Sequence, residues 1–538
     1  MEDKHILTLD IGTSTIRSFI YNSKTEIVGK SVDQVVLQYS GPGFVEIDPD
    51  ELWTSIVNVI LVYARLTMPD ITAMGISTQR STFITWSRKT GKPFHKFITW
   101  KDLRADKLVK QWNRSYTWKA VKACSYVLYL LLRSNRFRAG SVLKFMNTQV
   151  RFFFISNHYQ LYLGHDIVCA PFLKYSKVHM SDVSSASATG FFDPFTLQWA
   201  GWAMALFKIP MPLLPQVVDT AGDHFTSTSP DIWGHAIPIR SSMADQTASM
   251  WGSCCFDVGD VKLTIGTGTF FNMHTGSNAH ASVSGLYPVV GWKLADDLVY
   301  SAEGSNNDTA SIINWAQNIG LFDNPQDSAD IANSVPDSDG VYFIPAFSGL
   351  GPPYNDGTAA SGFVGMKPTT RKAHLVRAVL ESLAFRTAQL YNCVRNETTY
   401  QFNTIRLDGG VSNNDFVGQL IADLTGLRIE RPVDVEMSSY GVAYIVGYYL
   451  GWWKKEDLKS RRKIGCVFNP RPSVKKRYEI SMARWEEAVK RMCGWYSDSD
   501  SNSNQSLATV SDSSSNSITP QSSFKIAPVT RKQNSGSK

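Results

Sequence analysis

The sequence predicts an α/β fold of two or three domains in which one strand-and-turn phrase is written twice. Three observations predict it. The chain has 538 residues, long enough for two or three domains. Two stretches about 250 residues apart write nearly the same phrase, HILTLDIGTSTIRSF from His5 to Phe19 and KLTIGTGTFF from Lys262 to Phe271. Each is an apolar run closed by a turn of glycine and hydroxyl residues, the pattern of a strand entering a tight hairpin. Around both, short strand-like runs alternate with segments of helical period, as in sheets covered by helices.

The elements follow in order. Ile6–Leu9 and Ser18–Tyr21 read as the strands of the opening hairpin. Asp48-Pro-Asp-Glu-Leu-Trp begins a helix, with Asp48 as its cap and Pro49 at its first position, running to about Tyr63. Ala73–Ser77 and Phe83–Ser87 read as strands around Thr78-Gln-Arg-Ser. From Asp106 to Tyr162 the chain is helix-rich but poorly patterned, and Phe152-Phe-Phe, His158-Tyr and Leu161-Tyr-Leu show no clean period. Strand and turn signals return at Gly190-Phe-Phe-Asp-Pro. Leu263–Thr269 is a strand and turn, and Val341–Pro345 a strand stopping at Ala-Phe-Ser-Gly-Leu-Gly-Pro-Pro. Ala373–Asn392 carries Leu375, Val376, Val379, Leu380, Leu383 and Ala384 at helical spacing. Ile405–Leu407 enters Asp408-Gly-Gly, and Ser438–Leu450 reads as a glycine-containing apolar helix. From Ser497 a Ser/Asn/Asp-rich tail with a basic end cannot bury a core and is expected to be disordered.

Composition narrows the class. Hydrophobic residues make up 43% and charged residues 19%, ordinary for a globular chain. A net charge of +7 is mild over this length and does not point to nucleic acid. The most apolar run, Tyr126–Leu132, is far short of the ~20 residues that cross a bilayer, so no membrane span is expected. No signal peptide pattern precedes the first strand. Seven cysteines without a Cys-x-x-Cys pair read as reduced thiols of a cytoplasmic enzyme.

Four constellations carry the chemistry. In Asp10-Ile-Gly-Thr-Ser-Thr, Gly12 permits a tight turn and the Thr13 and Ser14 hydroxyls can cradle phosphate oxygens. Asp10 is placed for a hydrated Mg²⁺, and Arg17 for a phosphate; a hairpin whose Asp caps its own turn would look the same. Ile265-Gly-Thr-Gly-Thr repeats the motif without the Asp, as expected if one clamp needs one metal carboxylate. In Ala244-Asp-Gln-Thr-Ala-Ser-Met-Trp-Gly, Asp245 is either a helix cap or a general base taking a proton from an attacking hydroxyl. In Asp408-Gly-Gly-Val-Ser-Asn-Asn, Gly409 and Gly410 allow close approach to a flat ligand that Asn413 or Asn414 could hydrogen-bond, or the asparagine caps a helix.

In this order the four motifs resemble the FGGY family of carbohydrate kinases, most closely its glycerol kinase branch. Gly41-Pro-Gly-Phe-Val-Glu-Ile-Asp-Pro-Asp-Glu-Leu-Trp, Gly75-Ile-Ser-Thr-Gln-Arg, Gly91-Lys-Pro and Ile98-Thr-Trp match it. So do Phe343-Ile-Pro-Ala-Phe-Ser-Gly-Leu-Gly-Pro-Pro-Tyr and the C-terminal signature Ser361-Gly-Phe-Val-Gly-Met followed by His374-Leu-Val-Arg-Ala-Val-Leu-Glu. The resemblance implies two actin-like ATPase (ribonuclease H-like) domains, residues 1–255 on the substrate side and 256–496 on the nucleotide side, with a nucleotide cleft between them and 497–538 as the tail. It implies an ATP-dependent kinase of a small polyol, most simply glycerol giving sn-glycerol 3-phosphate, with ATP and Mg²⁺; oligomeric state stays open, a homo-oligomer included. It implies Asp10 as the magnesium-linked carboxylate and Asp245 as base. Arg80, Ser81, Gln246 and Phe270 fall at the substrate. Thr13, Ser14, Arg17, Thr267, Ala310, Gly409, Gly410 and Asn414 fall at the nucleotide. Three departures stand out. Ser81 replaces the usual glutamate, at a cost of roughly 1.5–3 kcal/mol, about 10- to 150-fold, in affinity for glycerol. Ala310 replaces a glycine. The family's Gly-Thr-Ile/Val-Asp-Thr/Ser-Trp-Leu segment is missing from 150–185, so its substrate-side tyrosine has no counterpart. These departures leave a pseudokinase, or a kinase of another polyol or sugar, as the alternative.

Overall fold

The structure is a computed structural model that describes residues 4–41, 43–64, 70–87, 90–144, 163–164 and 179–496. The expectations for Phe152-Phe-Phe, His158-Tyr, Leu161-Tyr and the tail from Ser497 lie outside the described residues.

The apolar run before Gly12 forms the strand His5–Ile11, with every residue buried, because it lies mid-sheet with a partner on each side. The sheet order is Ile239–Ala244, Ile71–Thr78, His5–Ile11, Thr15–Asn22 and Ile27–Gln34. The first three strands run parallel and the last three antiparallel. The helix Pro49–Ala64 begins as expected, with the Asp48 carboxylate accepting from Asp50 N at 3.0 Å and Glu51 N at 3.3 Å.

The second sheet repeats this plan. Asp297–Asn306, Thr269–His274 and Val261–Ile265 are antiparallel, followed by Thr404–Asp408 and Arg428–Pro432 in parallel. Tyr287–Leu294 and Ile464–Phe468 extend its two edges. The two phosphate-type hairpins therefore occupy equivalent places: Ile11 pairs with Ile16 around one turn, and Ile265 with Thr269 around the other. The two-domain α/β plan that the family resemblance implies is the one found.

The repeat extends to the helices. Asp245–Gly252 follows the last parallel strand of the first sheet, and Met437–Tyr449 follows the last parallel strand of the second. The two cross at glycines. A Cβ on Gly441 would fall 1.6 Å from Ala248 O, and one on Gly252 2.0 Å from Met437 O. Met437–Tyr449 also lies on the first sheet, where a Cβ on Gly75 would fall 2.3 Å from Val442 Cγ1. Ser439 bonds Thr8 at 2.8 Å and Tyr21 at 3.1 Å. One apolar core accordingly holds Ile6, Phe19, Met243, Trp251, Val442 and Val446 together. The second sheet rests on the long helix Lys372–Glu397, of which most residues are buried, as its apolar period required.

One strand is shorter than the sequence suggested. Phe83–Ser87 contributes only Ile84–Thr85, paired with Leu163–Gly164, because its flanks make single bridges, Phe83 to Ile98 and Trp86 to Pro93, instead of joining the main sheet. The helix-rich stretch resolves into Asp106–Arg114, Tyr116–Leu132 and Asn135–Val142.

Candidate active site

The site lies where parallel strands end, the usual place for a ligand in an α/β sheet. Asp10 is opposite Ser77, and Ser77 opposite Met243, so the ends of three adjacent strands present Asp10, Gln79-Arg80 and Asp245 side by side. Asp245 is the first residue of its helix. Ala244 holds the cap position, so Asp245 is not the cap; its Oδ1 accepts from Gln246 N at 2.7 Å.

Arg80 ties the two sheets together. Its guanidinium forks onto Glu303 of the strand Asp297–Asn306, with both N–H···O distances at 2.7 Å, and its Nε lies 3.5 Å from Asp245 Oδ1. Asn272 Nδ2 donates to the same Glu303 carboxylate at 2.6 Å. The Phe270 ring faces the Arg80 guanidinium at 5.8 Å and meets Trp100 edge-on at 6.2 Å. Trp100 Nε1 in turn donates to Thr13 Oγ1 at 2.8 Å, and Thr13 Oγ1 donates to Gln79 Oε1 at 3.0 Å. The first hairpin turn thus reaches the second hairpin through a single tryptophan, with Asp245 beside the junction.

Under Asp245 lies a buried polar network. Lys262, fully buried, donates to Gln246 Oε1 at 2.6 Å and sits 3.9 Å from Asp408 Oδ1. Asp408 also accepts from Ser249 and, at 2.5 Å, from Thr264. Burial raises the Asp245 carboxyl above its ordinary range; the neighbouring Asp10 charge adds to the rise, while Arg80 and Lys262 oppose it. Burial likewise pulls Lys262 down, against Asp408 and Asp245. The Asp245 side chain keeps 29% of its surface exposed, so it faces an opening while desolvated. A carboxylate so placed suits a general base.

On the nucleotide side, Ala310 N donates to Thr267 O at 3.2 Å, which joins the second hairpin turn to the start of the helix Thr309–Asn318. Gly409 has φ of 90°, and a Cβ there would strike Ile265 O at 2.7 Å, so only glycine allows the Asp408 turn to press on that hairpin. Gly410 follows it, exposed. Asn414 takes the capping role: its Oδ1 accepts from Val417 N at 3.1 Å and its Nδ2 donates to Ser328 Oγ at 3.0 Å. Arg17 is held by Asp10 at 3.3 Å and Glu436 at 2.9 Å. Ser14 is exposed on the first turn. Ser81 donates to Ala188 O at 3.1 Å.

The structure therefore gathers Thr13, Arg80, Asp245, Gln246 and Phe270 into one contact set, with Asp10 on the adjacent strand bonded to Arg17 and Ser438, and Thr267, Ala310 and Gly409 into a second on the hairpin beside it. Sequence reasoning missed Glu303, Lys262, Asp408 as a carboxylate, and Trp100. Their available signal was a charged or indole side chain inside, or next to, an apolar strand run.

Comparison with known proteins places the chain among relatives. Residues 5–252 match the N-terminal domain, and residues 261–450 the C-terminal domain, of the FGGY family of carbohydrate kinases. The chain is 45% identical over 513 residues to glycerol kinase 5 of Danio rerio, covering 91% of this chain and 97% of the relative. It is 42% identical over 508 residues to glycerol kinase 5 of Homo sapiens, covering 91% and 96%. Among solved structures, Plasmodium falciparum glycerol kinase with ADP superposes with a TM-score of 0.80 at 27% identity, covering 91% of this chain and 98% of that one. With its repeated sheets and paired hairpins, the chain belongs to the FGGY family of carbohydrate kinases.

Proposed function

We propose that this kinase transfers the γ-phosphoryl group of ATP to a hydroxyl of glycerol, giving sn-glycerol 3-phosphate. The observation that carries the reading is Asp245, desolvated and open on one side, between Arg80 and the junction of the two hairpins. The names of the relatives and the ADP in the Plasmodium structure support the substrate and the nucleotide.

Arg80 and Gln246 orient the polyol, and the Phe270 ring closes one wall. Asp245 accepts the proton of the attacking hydroxyl as its oxygen bonds to phosphorus and the bond to ADP breaks. The Thr13–Ser14 and Thr267 turns present hydroxyl and N–H donors to the phosphates, and Gly409, Gly410 and Asn414 line the adenosine side next to Ala310. Residues 1–255 then carry the polyol and 256–496 the nucleotide.

The residues present fit Mg²⁺. Asp10 Oδ2 accepts from Ser438 at 2.8 Å and meets Arg17, whereas buried Asp10 Oδ1 has no hydrogen-bond partner among the described residues. Among the described residues no group of three or more His, Cys, Asp or Glu side chains could hold an ion. Asp10 would therefore act as a single protein carboxylate, a mode that suits Mg²⁺, which keeps water and phosphate oxygens around it. The ion supplies charge that offsets the phosphate oxygens.

The test is coupled ADP release with glycerol and a panel of polyols and sugars, on the parent and on Asp245→Ala. The parent is expected to turn over glycerol. Asp245→Ala should lose about 10²- to 10⁴-fold or more in kcat while still binding ATP. Retained turnover in the variant removes Asp245 from its role, and a different acceptor preferred over glycerol replaces the substrate.

A further inference from the structure

The helices Tyr116–Leu132 and Asn135–Val142 carry an amphipathic pattern turned inside out. Trp118 anchors the inner face: it is buried, donates from Nε1 to Leu143 O at 3.2 Å and stacks on Trp202 at 6.4 Å. The outer face is apolar. Ala120, Cys124, Val127 and Leu131 repeat at helical spacing and are all exposed. Leu131 is 73% exposed, Leu132 61%, Val127 54% and Tyr126 53%. A contiguous exposed apolar face of this kind marks a binding surface.

Charge identifies the occupant. From Tyr116 to Lys144 the chain holds Lys119, Lys122, Arg133, Arg136, Arg138 and Lys144 and no acidic residue. Arg136 pairs with Asp193, and Lys144 donates to Asn355 O. Helical geometry sets Lys119, Lys122 and Tyr126 along one flank of the apolar stripe, and Arg133, the left-handed cap that ends the helix, lies over the Tyr129 ring at 5.9 Å. Beside that flank, an open surface depression of about 530 Å³ is lined by Lys122, Tyr126, Tyr129, Arg138, Val142 and Val283. It joins two cations to two phenol rings and an apolar floor, the complement of an anionic headgroup with its first methylenes. A second copy of this chain would bring the same positive flank against itself, which like-charge repulsion disfavours. The 17-residue helix is not long and apolar enough to cross a membrane.

We propose that this helix pair docks the enzyme on the surface of an anionic lipid bilayer. Val127, Leu131 and Leu132 enter the acyl boundary. Lys119 and Arg133 meet lipid phosphates, and the Lys122–Arg138 groove seats one headgroup. The active-site residues described above take no part in this surface, so lipid docking and phosphoryl transfer are separable.

The experiment is co-sedimentation of the full chain with vesicles of phosphatidylcholine alone and with about 30% phosphatidylserine, at about 0.05 and 0.5 M salt. Two paired variants accompany it, Val127→Asp with Leu131→Asp and Lys119→Glu with Arg133→Glu. Their side chains are exposed, and unchanged circular dichroism and melting verify folding. Binding is expected with anionic vesicles only, weakened by salt. Each variant pair should lower partitioning about ten-fold or more, at roughly five-fold per charge near the surface. Absence of binding to anionic vesicles overturns the proposal, as does binding that both variant pairs retain. Self-association by light scattering that the variants abolish, without vesicle binding, assigns the face to a protein partner and also overturns it.

Discussion

Ser81 is the residue at which we propose that substrate affinity is set. Its backbone lies in the left-handed region at φ 62°, and its hydroxyl is spent on Ala188 O. It therefore offers no charged acceptor beside Arg80. Restoring one by Ser81→Glu keeps the same strained backbone, since both residues carry a Cβ. The new carboxylate should lower the glycerol KM by about 10- to 150-fold with little change in kcat, measured by initial rates. An unchanged KM would mean that polyol hydroxyls do not lie over Ser81. Residues of this sort carry a local mark: Asp10 closes an apolar run, Asp245 opens a run of small helical residues, and Thr13, Thr267 and Gly409 sit in glycine turns. Glu303 and Lys262 were not legible, because a charge inside an alternating strand reads as a solvent-facing position. Only the pairing of strands from far apart turns Glu303 onto Arg80 and Lys262 onto Gln246. Asn414 had two local readings, and helix capping is the one its side chain satisfies.

At the scale of elements, the crossing of Asp245–Gly252 with Met437–Tyr449 holds Asp245, the proposed base, in place. The helices touch backbone to backbone because Gly252 and Gly441 face one another's chains. Gly441→Ala puts a methyl 1.6 Å from Ala248 O, and no flexible side chain can give way. The crossing must widen, at a cost of about 1–3 kcal/mol or more in stability, and Asp245 moves with its helix. Both a lower Tm and a lower kcat are expected, whereas Gly451→Ala, with nothing near its Cβ, should lower Tm mildly through its φ of 74° and leave kcat alone. Equal kcat loss in the two variants would separate the crossing from catalysis. Most strands and helices were readable from period and punctuation. Pro49 and the Asp48 cap fixed one helix start, and the Leu375–Ala384 spacing fixed the core of the longest helix. The crossing was not readable, since glycines within a helical pattern announce close packing without naming the partner. Phe83–Ser87 shrank for a related reason: strand composition is present, but the sheet it would join is already edged by other strands.

Across the whole molecule, Arg80 answers to both sheets at once, through Glu303 on one side and Asp245 on the other. Its charge is shared between a partner that neutralises it and a base whose proton affinity it restrains. Asp245 must be deprotonated to accept the hydroxyl proton, so kcat falls as pH drops through its pKa. Because burial, then the charge on Asp10, raises that pKa against Arg80 and Lys262, the acid limb should lie above the ordinary carboxylate range. Glu303→Gln removes the neutralising charge and leaves the guanidinium acting more fully on Asp245. The pKa of the base then falls, and the acid limb of the kcat profile moves to lower pH. The same change leaves a buried cation with one partner fewer, at a cost of about 3–5 kcal/mol of stability, so Tm drops together with the shift. A melting loss alone would fit a merely structural ion pair. A limb displaced downward identifies Arg80 as the link through which the second sheet sets the basicity of a carboxylate carried by the first, and a limb displaced upward refutes it.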